Sequence, residues 1–513
     1  MGQVNENAAA YFVDRHATGA AAEKVAFTEA VDGGRSLTYS ALGAQSGKMP
    51  ALFEKYNIQP EDRVVMLTHD VIEFPIIFWG SLKAGVIPVP VNTLLAADLY
   101  ALILDDSKAK SLFVSEALLD VVKPILKGRN YPKSVFVIGE PQDEFLSFKD
   151  ELAMLPESPT AQASADECAF WLYSSGSTGQ PKGVRHVHGS LRATSDTYGA
   201  QTLKINADDV VFSVAKLFFA YGLGNGMTFP MSVGATTVLF PGRPTPDTVF
   251  DVIRRSNPTV FCGVPTLYAA LVAAMAENVP EGMDRLRCCI SAGEALPAEI
   301  GRKWKSATGV DILDGVGSTE MLHIFLSNAP DDVLYGTSGR AVPGYQLRLV
   351  DETGAEVGVG EIGELLVNGP SAAEGYWNQR DKTRATFEGV WTRTGDKYEK
   401  QADDRLVYCG RTDDMFKVSG IWVSPFEIEQ ALVTHKDVLE AAVVAAMDEN
   451  DLEKPKAYVV LKDGVIKEGL EDRLKEHVKE AVGKWKYPRW IEIVDDLPKT
   501  ATGKVQRFKL RSH

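Results

Sequence analysis

Over more than half of its 513 residues the chain alternates short, almost wholly apolar runs with segments of helical period, and few folds can bury such a pattern. Arg63–Leu67 and Val86–Val91 are runs of the first kind, while Glu73–Lys83 between them spaces its apolar positions as a helix does. A strand that is apolar on both faces needs cover on both faces, so the pattern predicts α/β layers built on a largely buried sheet. The rhythm continues over Val210–Phe240, where V-V-F-S-V-A and A-T-T-V-L-F flank an aromatic loop and Pro241-Gly242 closes the unit. Thr259–Gly263 predicts a buried strand opening a helix at Pro265, and Leu286–Ser291 a second strand ending in S-A-G-E.

Between Gly339 and Tyr408 the strand-like pieces become richer in Gly, Thr and charge, which predicts a β-rich subdomain. Gly410-Arg411-Thr412-Asp413-Asp414 is polar and turn-prone, and a fresh α+β pattern follows it: P-F-E-I-E-Q-A-L as a helix, then A-A-V-V-A-A and K-A-Y-V-V-L as strands. With 45% apolar residues the chain can build more than one core. The expectation is a large N-terminal body over residues 1–412 and a small α+β cap over 413–513.

Charge narrows the function. The chain has 54 Lys+Arg against 69 Asp+Glu, a formal net charge of −15, and no long basic run, so it lacks the electrostatic footprint of a nucleic-acid or anionic-membrane binder. One local exception is residues 484–511, where Lys484, Lys486, Arg489, Lys499, Lys504, Arg507, Lys509 and Arg511 face three acids. Anion binding by so acidic a chain has to be local, and this stretch is one place to expect it. Five cysteines without a C-x-x-C pair suggest neither a disulfide framework nor a zinc site. The N-terminus lacks a basic segment followed by an apolar one, and no apolar run approaches the ~20 residues that span a bilayer. A soluble, cytoplasmic protein is expected, monomer or homodimer.

Chemistry concentrates in three places. Tyr173–Gly183, Y-S-S-G-S-T-G-Q-P-K-G, follows the apolar A-F-W-L-Y. Small residues let main-chain N–H groups approach an oxyanion, the hydroxyls add donors, and Lys182 adds a cation: a phosphate cradle. It is not the P-loop, because Gly rather than Ser or Thr follows the lysine. The second is Asp314–Glu320, D-G-V-G-S-T-E, where Glu320 is suited to Mg²⁺ and Asp314 to an adenine amine, although a Gly-rich turn capped by Ser318 or Thr319 at a helix start would look the same. The third is T-G-D at Thr394–Asp396, then Gly410-Arg411, then P-K-T-A-T-G-K at Pro498–Lys504. An acid at a loop tip suits ribose hydroxyls, and a lysine in a Gly/Thr turn can reach into a cleft. His186 and His188 share one strand face without a third ligand, and read as structural.

In this order the motifs resemble those of the adenylate-forming superfamily of acyl-CoA synthetases, luciferases and nonribosomal adenylation domains, over nearly the whole chain. Within it, A-K-L-F-F-A-Y-G-L-G-N (Ala215–Asn225), S-A-G-E-A-L-P-A-E-I-G (Ser291–Gly301), G-S-T-E-M-L-H-I-F-L-S-N (Gly317–Asn328) and V-S-G-I-W-V-S-P-F-E-I-E (Val418–Glu429) resemble the benzoate-CoA ligase family. Where many superfamily members carry an adenine-stacking Tyr, this chain has Val316.

The resemblance implies an aryl carboxylate attacking the ATP α-phosphorus, loss of pyrophosphate, then attack of the CoA thiol on the acyl adenylate. Ser174, Ser175, Gly176, Ser177, Thr178, Gly179 and Lys182 would hold the phosphates, and Thr178 and Glu320 would serve Mg²⁺. Ala292, Gly293, Glu294, Ala295, Asp314, Gly315 and Thr319 would frame the nucleotide, Asp396 the ribose with Arg411 beside it, and Lys504 would bridge the carboxylate and the α-phosphate. Asp413 stands at the family's hinge, and the Val418–Val423 loop, with Lys417 and Gly420, would meet the CoA pantetheine arm. Phe219, Ala220, Tyr221, Gly293, Gly315, His323 and Ile324 would line a slot for a flat aryl acid. Benzoate, 4-hydroxybenzoate and other aryl or cyclic acids all stay open, as do carrier-protein loading and silent adenylate binding. A carboxylate is ionised at neutral pH, so adenylation needs no general base, in keeping with the lack of any G-x-S-x-G elbow.

Overall fold

The computed structural model describes residues 5–511 apart from 143–144, 176–179, 276–278, 419–420, 450–451, 484–485 and 500–504. The chain falls into two compact units, Met1–Leu347 with Val367–Thr392, and Arg348–Leu366 with Arg393–His513. The mixed α/β class expected from the alternation is what forms.

In the first unit the apolar runs assemble into two mainly parallel sheets. One has the order Ile87–Pro90, Arg63–Leu67, Ser111–Ser115, Ser134–Ile138, Leu146–Ser147, all parallel. The other is nine-stranded. Its parallel centre runs Ile312–Gly317, Cys288–Ser291, Val260–Gly263, Val210–Ser213, Thr236–Leu239, Val25–Glu29, and its antiparallel edges are Ser36–Thr38 on one side and Ile324–Ser327 with Arg340–Ala341 on the other. Strands and helices fall where the periodicity put them, among them the helices Glu73–Lys83 and Pro265–Ala274. The first of these is buried along nearly its whole length, as a helix apolar all round must be. Phe78 meets Phe170 edge-on at 5.5 Å, and Phe113 stacks on Phe136 at 4.9 Å. Each such ring taken out of water contributes roughly 1.5–3 kcal/mol.

A third, antiparallel sheet of Gly375–Tyr376, Pro181–Val187 and Cys168–Ser175 carries the phosphate-cradle motif. Of three π-helical segments among the described residues, Ala10–Asp14, Ser195–Thr202 and Gly224–Thr228, the last two carry residues packed on His323, and π-turns are frequent at functional sites.

The second unit holds the β-rich segments and the C-terminal α+β pattern. Strands Val438–Met447 and Glu453–Leu461 pair antiparallel, with Trp490–Ile493 added parallel, and the helices Pro425–Val433 and Leu470–Val482 complete the core. Asp413, the expected hinge, falls inside this unit.

Candidate active site

The phosphate-cradle motif is a hairpin rather than a strand followed by a free loop. Cys168–Ser175 runs on through Ser174, which pairs with Lys182, while Tyr173 pairs with Gly183. Lys182 therefore projects from a strand, and its ammonium is largely buried, with the residue 9% exposed. Burying a lysine demands partners. It has them in Glu320, whose Oε1 lies 3.7 Å from Nζ, and in Tyr376, whose hydroxyl is 3.5 Å away and whose ring centroid is 4.5 Å away. The Tyr376 hydroxyl in turn donates to Glu320 Oε1 at 2.8 Å. Ser174 Oγ is buried with no partner among the described residues. Gly176, Ser177, Thr178 and Gly179 lie outside the described residues, and of Ser175 only the backbone is described.

Glu320 follows the strand Ile312–Gly317, but no helix begins there. Ser318 Oγ instead accepts from the Met321 N–H at 3.1 Å, making a local turn, and Leu322 takes φ +63. His186 ties this turn to the hairpin: its Nε2–H donates to the Thr319 carbonyl at 2.8 Å. His188 Nδ1 accepts from the Ala8 N–H at 3.1 Å. Burial lowers both imidazoles to about 4, but the two do not share a strand face as the spacing suggested: the strand ends at Val187 and His188 opens the helix His188–Thr194. Among the described residues no group of His, Cys, Asp and Glu has the makings of a multidentate metal site.

Asp314 sits at the carboxyl end of its parallel strand, where open α/β sheets bind ligands. It is 5% exposed; burial pushes its carboxyl up to about 8, against the pull of the Leu296 N–H. Its Oδ1 has no partner among the described residues. The Leu296 bond folds the segment Ala292–Ala295 over this carboxylate, with Ala292 buried and Gly293 in the left-handed region at φ +97. A Cβ on Gly293 would meet nothing within 4 Å, so the backbone there is open to an approaching group. Val316, on the same strand, is half-buried.

Within ten residues of Asp314 lies His323, walled by Phe229 at 4.5 Å, Tyr198 at 5.3 Å and Tyr221 at 5.8 Å between ring centroids. It is not a helix histidine: it stands in the turn before the strand Ile324–Ser327. Its Nε2–H donates to the Tyr221 carbonyl at 3.3 Å, so Nδ1 carries the lone pair, and that atom is buried without a partner among the described residues. Burial lowers this imidazole to about 3, leaving it neutral. The Tyr221 hydroxyl lies 3.1 Å from the carbonyls of both Gly263 and Ile290, which fixes its ring. A Cβ on Gly315 would stand 2.9 Å from Ile324 Cδ1, so glycine is what lets those two positions meet. Ala220 is half-buried against the main core, while Phe219 packs on Phe218 at 4.5 Å. Sequence reading found four members of this cluster but not Tyr198, Gly224 or Phe229, whose places depend on long-range packing. It also missed Tyr376, in a G-Y that no local pattern marks.

The second unit has its own constellation. Asp396 and Arg411 face each other across an antiparallel pair, with Nη1 and Oδ1 3.1 Å apart. Gly395 turns at φ +70, and a Cβ there would meet Arg411 Nη2 at 3.0 Å. Lys504 and Gly420 lie outside the described residues, and of Lys417 only the backbone is described. Of the six described cations in the basic stretch at 484–511, four are paired with acids rather than free for an anion. Lys486 pairs with Glu427 at 2.6 Å, Lys499 with Glu440 at 2.7 Å, Arg507 with Glu429 at 2.7 Å, and Arg511 with Asp414. These four charges are neutralised by acids distant in sequence, which no count over a window can reveal.

The donor set fits a nucleotide with its metal. Glu320 offers the hard carboxylate oxygen that Mg²⁺ takes, Ser174 Oγ and Asp314 Oδ1 are buried polar atoms without partners among the described residues, and Lys182 is a cation paired with Glu320.

Comparison with known proteins agrees. Residues 13–377 match the AMP-binding enzyme family, and residues 427–504 match the AMP-binding enzyme C-terminal domain. A 4-hydroxybenzoate--CoA/benzoate--CoA ligase of Rhodopseudomonas palustris is 52% identical over 508 residues, covering 98% of this chain and 94% of its own. A benzoate--CoA ligase of Thauera aromatica is 52% identical over 94% of this chain and 92% of its own. The crystal structure of a benzoate CoA ligase from Burkholderia xenovorans LB400 superposes with a TM-score of 0.90 at 46% identity, over 99% of this chain and 100% of that one. The hairpin lysine, the Asp314 strand and the aromatic chamber around His323 thus belong to an AMP-binding enzyme, and the chain is a member of the benzoate-CoA ligase family.

Proposed function

We infer that the chain is an ATP-dependent aryl-CoA ligase that converts benzoate or a close analogue to its CoA thioester through an acyl adenylate, releasing AMP and pyrophosphate. One observation carries this reading most. The strand Ile312–Gly317 and the turn after it bring the acceptor Asp314, the slot residue Gly315, the carboxylate of Glu320 and the chamber residue His323 within ten positions of one another. A nucleotide on Asp314 and an aryl ring beside His323 would therefore be neighbours, which is what transfer of an adenylyl group to an aryl acid requires.

In the first half-reaction the carboxylate oxygen bonds to the α-phosphorus and the bond to pyrophosphate breaks. Lys182, with Ser174, Ser175, Gly176, Ser177, Thr178 and Gly179, would stabilise the leaving charge. Mg²⁺ supplies neutralisation of phosphate charge when bound, and Glu320 with Thr178 would hold it. Asp396 with Arg411 beside it would bind the ribose hydroxyls, and Ala292–Ala295 would frame the adenine. In the second half-reaction the CoA sulfur bonds to the acyl carbon and AMP leaves. Rotation about Asp413 would withdraw Lys504 and bring the Val418–Val423 loop, with Lys417 and Gly420, to the pantetheine arm. The cytoplasm fits five free thiols, and monomer or homodimer both accord with this chemistry.

A hydroxybenzoate has a specific observation in its favour. His323 Nδ1 is a buried acceptor without a donor among the described residues, and a ring hydroxyl that reached it would supply one. Lys504→Ala tests the reading: adenylation is expected to fall on the order of 10²–10³-fold while thioester formation from supplied aryl-AMP is largely spared. Equal loss of both half-reactions would overturn the assignment.

A further inference from the structure

Lys182 stands on a strand of the three-stranded sheet and Glu320 in the turn after the strand Ile312–Gly317, and they form a loose ion pair at 3.7 Å. One residue reaches both. The Tyr376 hydroxyl donates to Glu320 Oε1 at 2.8 Å, and the Lys182 ammonium sits 4.5 Å from the centroid of its ring. Tyr376 is itself 5% exposed and rigidly held: its strand pairs with Val184 beside Lys182, and its N–H donates to Thr383 Oγ1 at 3.0 Å. The same segment grips the Glu320 backbone, since the Ala373 N–H donates to the Glu320 carbonyl at 2.8 Å.

Two opposite charges in a half-buried site attract strongly. Left alone they would close into a direct pair, and each incoming phosphate and metal ion would have to break it. The tyrosine blocks that collapse in two ways. Its hydroxyl occupies a lone pair of Glu320 Oε1, and its ring gives the ammonium a weaker, readily exchanged partner than a carboxylate. We propose that Tyr376 is a positioning residue that holds the Lys182–Glu320 pair loose, so that each can exchange the other for the phosphates and Mg²⁺ of the incoming nucleotide. The proposal rests on the ligase reading for the roles of those two residues.

Tyr376→Phe keeps the ring and removes only the hydroxyl. Calorimetry is expected to show MgATP binding weakened about tenfold or more, and the Mg²⁺ concentration for half-maximal pyrophosphate exchange raised by a similar factor. The KM for the aryl acid, and the thioester rate from supplied aryl-AMP, which involves neither the β,γ-phosphates nor the metal, are expected to change less than twofold. In a Glu320→Gln background, where no charged pair can form, removing the hydroxyl is expected to add no further Mg²⁺ dependence. Unchanged MgATP and Mg²⁺ affinity in Tyr376→Phe, or equal losses in both half-reactions, overturns the proposal. Failure of the wild-type protein to bind MgATP would overturn the ligase reading with it.

Discussion

Gly224→Ala tests the acyl slot with one methyl group. Gly224 opens the π-helical turn behind His323, and a Cβ there would stand 2.3 Å from His323 Cδ2, 2.7 Å from Nε2 and 3.0 Å from Phe229 Cζ. Carbon contacts need about 3.5–4.0 Å, so the imidazole has to move by roughly 1.2–1.7 Å. Phe229, Tyr198 and Tyr221 surround the ring, and the move away from Gly224 breaks the Nε2–H bond to the Tyr221 carbonyl. Overpacking costs about 1–3 kcal/mol and the lost hydrogen bond about 0.5–1.5, against up to ~1 kcal/mol gained by replacing a helical glycine. The net cost, about 0.5–3.5 kcal/mol, falls on folding with or without substrate, while an imidazole displaced by about 1 Å or more in the slot is expected to raise the KM for benzoate roughly tenfold or more. Steady-state kinetics read it directly, with the KM for ATP expected to stay within about twofold. Gly226→Ala is the control, because its Cβ would meet the end of the Leu217 side chain at 3.0 Å, which needs to give by only a few tenths of an ångström, and Ser213 Cβ at an ordinary 3.7 Å. A Gly224→Ala enzyme that folds and keeps its benzoate KM would remove His323 from the acyl site.

Three further outcomes are expected. The folded pKa of Asp314, about 8, lies above the ordinary 3.8, so the stability tied to its proton is complete below that value and is lost as pH rises through 8. His186 and His323, at about 4 and about 3 against 6.5, act oppositely: their contribution is complete above 6.5 and is lost as pH falls toward the folded values. Urea unfolding is therefore expected to show loss of stability on both sides of about pH 6.5, with Asp314→Asn removing most of an alkaline loss on the order of 2 kcal/mol between pH 6.5 and 8; an unchanged alkaline limb counts against the buried carboxyl. Arg507→Met strands Glu429, whose side chain is 8% exposed and which Arg507 grips through Nη2 at 2.7 Å and Nε at 3.1 Å. With Arg507 still 22% exposed, the expected loss is about 2–3 kcal/mol by urea unfolding, largely restored when Glu429 is also made Leu; a loss below ~0.5 kcal/mol would show the pair to be idle. Asp413→Pro is expected to leave pyrophosphate exchange intact and stop thioester formation, and survival of both activities would place the hinge elsewhere.

The parallel strands were legible because a strand buried on both faces writes its burial into consecutive residues, as Arg63–Leu67 and Val260–Gly263 do. The motif Tyr173–Gly183 stands out in the sequence because glycine and small hydroxyl residues near a charge are the local pattern that suits a phosphate. What escaped was set at long range. Tyr376 meets Lys182 across 194 positions, and Arg507 meets Glu429 across 78. A net charge over residues 484–511 therefore read as open a stretch whose described cations are largely paired. Backbone form escaped as well: nothing in the Gly- and Ser-rich motif announces that Ser174 pairs with Lys182 and so extends both strands past the apolar run. Likewise His323 reads as helical until Ser318 caps a turn instead of a helix.

AMP release from ATP with benzoate, measured with and without CoA, bears most directly on the ligase assignment. Multiple turnovers are expected only when CoA is present, with one benzoyl-CoA and one pyrophosphate formed for each AMP. AMP release that is indifferent to CoA, or absent with every aryl acid while an alkyl acid supports it, contradicts an aryl-CoA ligase.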